Sequence, residues 1–86
     1  MKLAFTLHAW EDYNYWQKVN PKMVKKINEL IKVILRTPFE GIGKPEPLKH
    51  DLAGFWSRRI DQEHRIVYHV DGLGITVISC RFHYDS

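Results

Sequence analysis

The spacing of apolar positions changes several times along the chain, and each change marks an element. Leu3, Phe5 and Leu7 alternate with small or polar residues, which predicts a first strand over residues 2–7. Trp10, Tyr13 and Trp16 or Gln17 recur at helical spacing and place a short helix over residues 8–19. Asn20-Pro21 opens a second helix, with Asn20 as the cap and Pro21 in the first turn, where a missing N–H is harmless. Val24, Ile27, Ile31, Ile34 and Leu35 line one face of that helix. Lys22, Lys25, Lys26, Lys32 and Arg36 fill the remainder until Thr37-Pro38 stops it. Those lysines could track phosphates, although a solvated helix face is the more common use of such a pattern.

Periodicity then disappears from Pro38 to Gly54, where Gly41, Gly43, Pro45, Pro47 and Gly54 interrupt every candidate element. Unstructured stretches beyond roughly 12–15 residues in compact domains are usually functional or disordered. Phe39, Leu48 and Leu52 supply apolar anchors, so an ordered, functional loop is expected here. Three strands complete the chain over residues 55–60, 64–70 and 75–84, joined by connections short enough for consecutive hairpins. The expected fold class is α+β: an antiparallel sheet with two N-terminal helices packed on one face, forming a single domain over residues 1–86.

Composition narrows this picture. At 86 residues the chain has little room for a core, and three Trp, four Tyr and four Phe compensate by the large area each removes from water. Cys80 is the only cysteine, which excludes an internal disulfide and a multi-cysteine zinc site. The N-terminal residues lack the apolar core of a signal peptide, and no apolar run approaches the roughly 20 residues of a membrane span. A cytoplasmic protein without membrane attachment is expected. The formal charge of +3 suits nucleic acid and acidic protein partners equally.

Strand parity gives the first chemical hint. Ile66, Tyr68 and Val70 share one face, as do Ile78, Cys80 and Phe82. If the apolar sets are kept together by three-residue loops, Arg59, Arg65, Arg81 and His83 all fall on the opposite face. That face could be no more than the solvated side of a sheet. Three arginines and a histidine repel one another, however, unless an anion joins them, and arginine suits the oxygens of a phosphodiester. Glu46 stands in Pro45-Glu46-Pro47, where the prolines restrict the backbone and present a carboxylate at low entropic cost. Read alone, it is better taken as a surface glutamate in a rigid turn.

Several blocks then become recognisable together. Thr37-Pro38-Phe39-Glu40-Gly41, Gly43-Lys44-Pro45-Glu46-Pro47-Leu48-Lys49 and Gly54-Phe55-Trp56-Ser57-Arg58-Arg59-Ile60 resemble the central region of YoeB-type toxins. Glu63-His64-Arg65-Ile66-Val67-Tyr68, Cys80-Arg81-Phe82-His83-Tyr84 and the helical segment from Val24 to Ile31 continue the resemblance, in order and with matching spacing. It spans nearly the whole chain, and Asp85-Ser86 extends past the tyrosine at which such proteins commonly end.

This resemblance, to a family within the RelE/ParE-like toxins, implies a βααβββ fold and ribosome-dependent cutting of mRNA in the A site. It also implies inhibition by a partly disordered, YefM-like antitoxin. Ribosome and mRNA are then partners, and a homodimer is left open. By the same resemblance Glu46 is the general base, His83 the general acid and Arg65 the group that stabilises the transition-state phosphate. Lys49, Arg59, Arg81 and Tyr84 would support substrate charge and base stacking. No metal or other cofactor is implied, because a 2′-hydroxyl can attack the adjacent phosphorus once a base takes its proton. Two other readings use the same residues differently. A ParE-like gyrase inhibitor would share the fold without nuclease activity. A nucleic-acid-binding module built on the lysine-rich helix would explain the charge but not the proline-held glutamate.

Overall fold

A computed structural model describes residues 1–82. Strand β1 (Lys2–Phe5) leads into helix α1 (Leu7–Val19), and helix α2 (Pro21–Arg36) follows after a single residue. Thr6 caps α1 by accepting a hydrogen bond from the Ala9 N–H at 3.2 Å. Asn20 closes α1 with its own N–H and opens α2 by accepting from Lys22 through its side chain, so one residue serves as the cap of both helices. Pro21 occupies the first turn of α2 as expected.

The sheet has five strands in the order β1-β5-β4-β3-β2, with β2 (Glu46–Pro47), β3 (Phe55–Arg59), β4 (Arg65–Val70) and β5 (Gly74–Ser79). The α+β class and the two helices preceding the C-terminal strands agree with the sequence. The sheet is mixed rather than purely antiparallel, because β1 pairs in parallel with β5. The two-residue strand β2 also lies inside the segment that has no period, since two residues are too few to display one. Of the three expected anchors in that segment Leu48 is buried and Leu52 half-buried. Phe39 is exposed but rests against Trp56 with ring centroids 4.9 Å apart.

Helix α2 sends Met23, Ile27, Leu30, Ile31 and Ile34 into the core, where they meet Ile66, Tyr68, Ile75 and Val77 of the sheet. Ala9 and Trp16 of α1 join the same cluster. This helix-covered face therefore belongs to Ile66, Tyr68 and Val70 on β4, and Glu46, Ser57, Arg59, Arg65 and Val67 have the opposite parity.

The last hairpin corrects one expectation. Asp71 and Gly74 exchange backbone hydrogen bonds, which leaves Gly72-Leu73 as a two-residue loop in place of three. Ile75 and Val77 consequently face the core, where a three-residue loop would have put Ile78. A bulge beside Val67/Tyr68 absorbs one residue, so Ser79 lies opposite Val67 and Cys80 returns to the core. Gly74 is needed where it stands: its φ is +149°, and a Cβ there would lie 2.0 Å from the Lys2 carbonyl oxygen of β1. The strand expected to reach residue 84 ends at Ser79.

Candidate active site

The register across the sheet assembles the site. Glu46 pairs with Ser57, Ser57 with Val67 and Val67 with Ser79, forming one row on the face away from the helices. One step along, Arg59 lies directly opposite Arg65. Glu46 and Arg59 are diagonal neighbours, a relation with a typical separation of about 7–8 Å and Cβ atoms somewhat closer. The carboxylate and two guanidinium groups thus share a face within two strand spacings, although Glu46 lies 13 positions before Arg59 in the sequence.

Two arginines opposite each other repel. Among the described residues every ion pair involves a histidine, so neither arginine is neutralised by a carboxylate. Arg59 is exposed. Arg65 is half-buried, and its Nη1 donates to the carbonyls of Asp61, Gln62 and His64 at 2.9, 3.3 and 3.1 Å. Those bonds orient the guanidinium through Nη1, and among the described residues Nε and Nη2 are left to meet an oxyanion.

The loop supplying these carbonyls is built by Asp61. Its Oδ1 accepts from the backbone N–H groups of Glu63 and His64 at 2.9 and 2.7 Å. Partial burial alone would raise the Asp61 pKa, but the two backbone donors, with nearby positive charge, outweigh it and hold the carboxyl below its ordinary 3.8. A depressed carboxyl contributes stability above the unfolded value and loses it as pH falls through the folded one. Asp61→Ala is therefore expected to lower stability by about 1 kcal/mol at neutral pH. In urea melts the gap to wild type should close as pH falls from 3.8 through the lowered value. A gap of equal size in acid would contradict this account.

Lys49 is exposed and precedes a short 3-10 turn over His50–Leu52, three residues after Glu46. Arg81 is placed differently from its expected position beside Arg59 and Arg65. Its guanidinium carbon sits 3.7 Å above the Tyr15 ring of α1 and 4.6 Å from the Phe82 ring. The physical reason is that β5 ends at Ser79, so strand parity no longer governs residue 81. His83 and Tyr84 lie outside the described residues.

Three groups escaped the sequence reading. Arg58 is fully buried and donates to Tyr68 Oη and to the carbonyls of Ile42, Thr37 and Glu40, tying down the loop that leads to Glu46. His64 is buried, and its Nδ1 accepts the Phe82 N–H at 2.8 Å. Asp12 accepts the Cys80 N–H at 3.0 Å, while Trp16 Nε1 donates to the Cys80 carbonyl at 2.8 Å. Sequence offered one usable signal among these surroundings, an aspartate followed at two and three residues by N–H groups able to close a turn. The Cys80 thiol is no nucleophile: burial, with the Asp12 carboxylate adding to it, pushes its pKa up to about 12.

The profile for the YoeB-like toxin of bacterial type II toxin-antitoxin system matches residues 5–84. Toxin YoeB of Escherichia coli (strain K12) is 60% identical over 84 residues, covering 98% of this chain and 100% of that protein. The structure of a YoeB/ParE toxin from Agrobacterium tumefaciens superposes with a TM-score of 0.94 at 60% identity, over 98% of this chain and 100% of that one. A YoeB-YefM complex and a YoeB dimer, both from Staphylococcus aureus, match with TM-scores of 0.89 and 0.91. Their identities are 55% and 54%, over 98% of each chain.

Proposed function

The chain belongs to the YoeB-like toxins of bacterial type II toxin-antitoxin systems, and from that premise we propose that it is a ribosome-dependent mRNA endonuclease working by acid–base chemistry without a metal. The observation that carries this reading is the common face of Glu46, Arg59 and Arg65, which puts a carboxylate on the same side of the sheet as two directly opposed arginines.

In this reaction Glu46 removes the proton from the 2′-hydroxyl, and the oxygen attacks the adjacent phosphorus. Arg65, with Arg59 and Lys49, stabilises the negative charge that develops on the phosphorane oxygens. His83 delivers a proton to the departing 5′-oxygen, since an alkoxide leaves poorly. The products are a 2′,3′-cyclic phosphate and a 5′-hydroxyl. Tyr84 would stack on a base, and Arg81 would lend charge nearby. The small protein surface favours the ribosome as the device that presents and orders the message. An acidic, YefM-like antitoxin segment would bind the arginine-bearing face, and a homodimer would resemble that of the Staphylococcus aureus relative.

The test is cleavage of mRNA in programmed 70S complexes, with a single 2′-deoxy substitution on the 5′ side of the scissile phosphate. Wild-type protein should cut the ordinary message, cut free RNA poorly and fail on the deoxy message. Cleavage should persist when transition metals are chelated under conditions that keep ribosomes intact. Normal cutting of the deoxy message would mean that an external water attacks, and would overturn the mechanism. Supercoiling inhibition by purified gyrase, with no cutting of any message, would instead establish the ParE-like reading.

A further inference from the structure

We propose that His64 is a positioning residue, fixing the backbone at Phe82, the residue to which His83 is joined. This rests on the nuclease reading, in which His83, the next residue, is the general acid. The Phe82 N–H donates to His64 Nδ1 at 2.8 Å, so that nitrogen presents a lone pair and the ring proton belongs on Nε2. Nε2 lies 3.4 Å from Glu63 Oε1, a partner consistent with this tautomer. The ring packs edge-on against Trp16, with centroids 4.7 Å apart, which restricts its rotation. In return the Arg65 N–H donates to the Phe82 carbonyl at 2.8 Å. Both backbone groups of Phe82 are thus held by two consecutive residues, one of which contributes the proposed transition-state arginine.

The backbone at Phe82 requires such a hold. Its φ is +63°, the left-handed region that a phenylalanine occupies only when its surroundings impose it. Residue 82 also lies beyond the end of β5, where no regular strand pairing fixes the chain. The His64 side chain does what a neighbouring strand would otherwise do, while Asp12 and Trp16 hold the Cys80 backbone two residues earlier. A merely structural histidine would influence folding. A positioning one fixes the residue to which the acid is joined, and proton transfer depends steeply on placement.

Two variants separate these roles. His64→Leu fills similar space without an acceptor, and His64→Asn puts an amide oxygen close to the position of Nδ1. In programmed ribosomes His64→Leu should lose about 10²-fold in kcat with little change in KM, while thermal melting shows it folded. His64→Asn should regain most of that loss. In a His83→Ala background His64→Leu should add almost nothing, because the group it positions is already gone. Amide hydrogen exchange at Phe82 gives a readout that needs no cleavage: protected in wild type and His64→Asn, fast in His64→Leu. The proposal is overturned if Asn fails to rescue, if the loss is in KM, if the double variant loses rate multiplicatively, or if Phe82 exchange is the same in all three proteins. Wild type no faster than Glu46→Ala would remove the nuclease reading alone, and the exchange comparison would still decide the clamp.

Discussion

Replacing His83 by alanine is expected to slow cleavage of ordinary mRNA by about 10²–10⁴-fold, the usual contribution of general acid catalysis. Much of that loss should return when the bridging 5′-oxygen of the scissile phosphate is replaced by sulfur. A thiolate departs without a proton, so the acid is no longer needed at that step. Glu46→Ala should be slowed on both substrates, because the 2′-hydroxyl still has to lose its proton. Arg65→Ala should also remain slow, since charge accumulates on the phosphorane oxygens whichever atom leaves. Single-turnover rates of the three variants on the two messages check the assignment. If sulfur rescues Glu46→Ala and leaves His83→Ala slow, the acid and base roles must be exchanged. If it rescues neither, His83 does not serve as the acid.

Arg58→Met is expected to destabilise the protein by about 3–5 kcal/mol, because several buried acceptors lose their donor at about 1–3 kcal/mol each. A domain of this size loses roughly 4–8 °C of Tm per kcal/mol, so a fall of 10 °C or more should be seen. The reason is the number of groups that a single side chain satisfies. Nε donates to Tyr68 Oη at 3.0 Å, Nη1 to the Ile42 carbonyl at 3.1 Å, and Nη2 to the carbonyls of Thr37 and Glu40 at 2.6 and 2.9 Å. Tyr68 Oη in turn donates to the Pro38 carbonyl at 2.7 Å, and burial raises its pKa despite the adjacent guanidinium, which favours the neutral donor. Methionine would leave these acceptors without their donor while filling only part of the space. Arg58→Lys should rescue little, because one ammonium cannot reproduce a planar fork with donors on three nitrogens.

The effect should reach the site as well. The segment held by Arg58 runs into Gly43, whose carbonyl accepts the Arg59 N–H at 2.7 Å, and then into Glu46. Denaturant melts and hydrogen exchange over residues 37–43 measure both consequences. An Arg58→Met protein within 1 kcal/mol of wild type, as read from those melts, would show that the loop does not depend on this network.

The helices were legible because their signals are local. The apolar spacing of α2, the Asn20-Pro21 start and the Thr37-Pro38 stop are all contained in neighbouring residues, and short-range sterics and hydrogen bonding decide them. The β3–β4 register was legible for the same reason: a short loop closed by Asp61 leaves Arg59 opposite Arg65. Glu46, Arg65 and His83 could be named from the order and spacing of the matching blocks, but spacing alone does not put a carboxylate beside a guanidinium. That juxtaposition depends on β2 pairing with β3, an interaction between segments that carry no periodic sign of it.

The face of each residue in β5 was decided by tertiary structure, because a two-residue turn reversed the parity and a bulge restored it within four residues. The position of Arg81 followed from the strand ending before it and from the Tyr15 ring that α1 brings to it. Arg58 and His64 look like ordinary polar residues in the sequence. Their partners lie 10 to 21 and 18 positions away, and only the folded chain converts those separations into hydrogen bonds. Local patterns could specify the elements because each reports its own backbone preference. The supports of the site depend on which distant carbonyls and N–H groups are left unpaired after packing, a property of the whole fold.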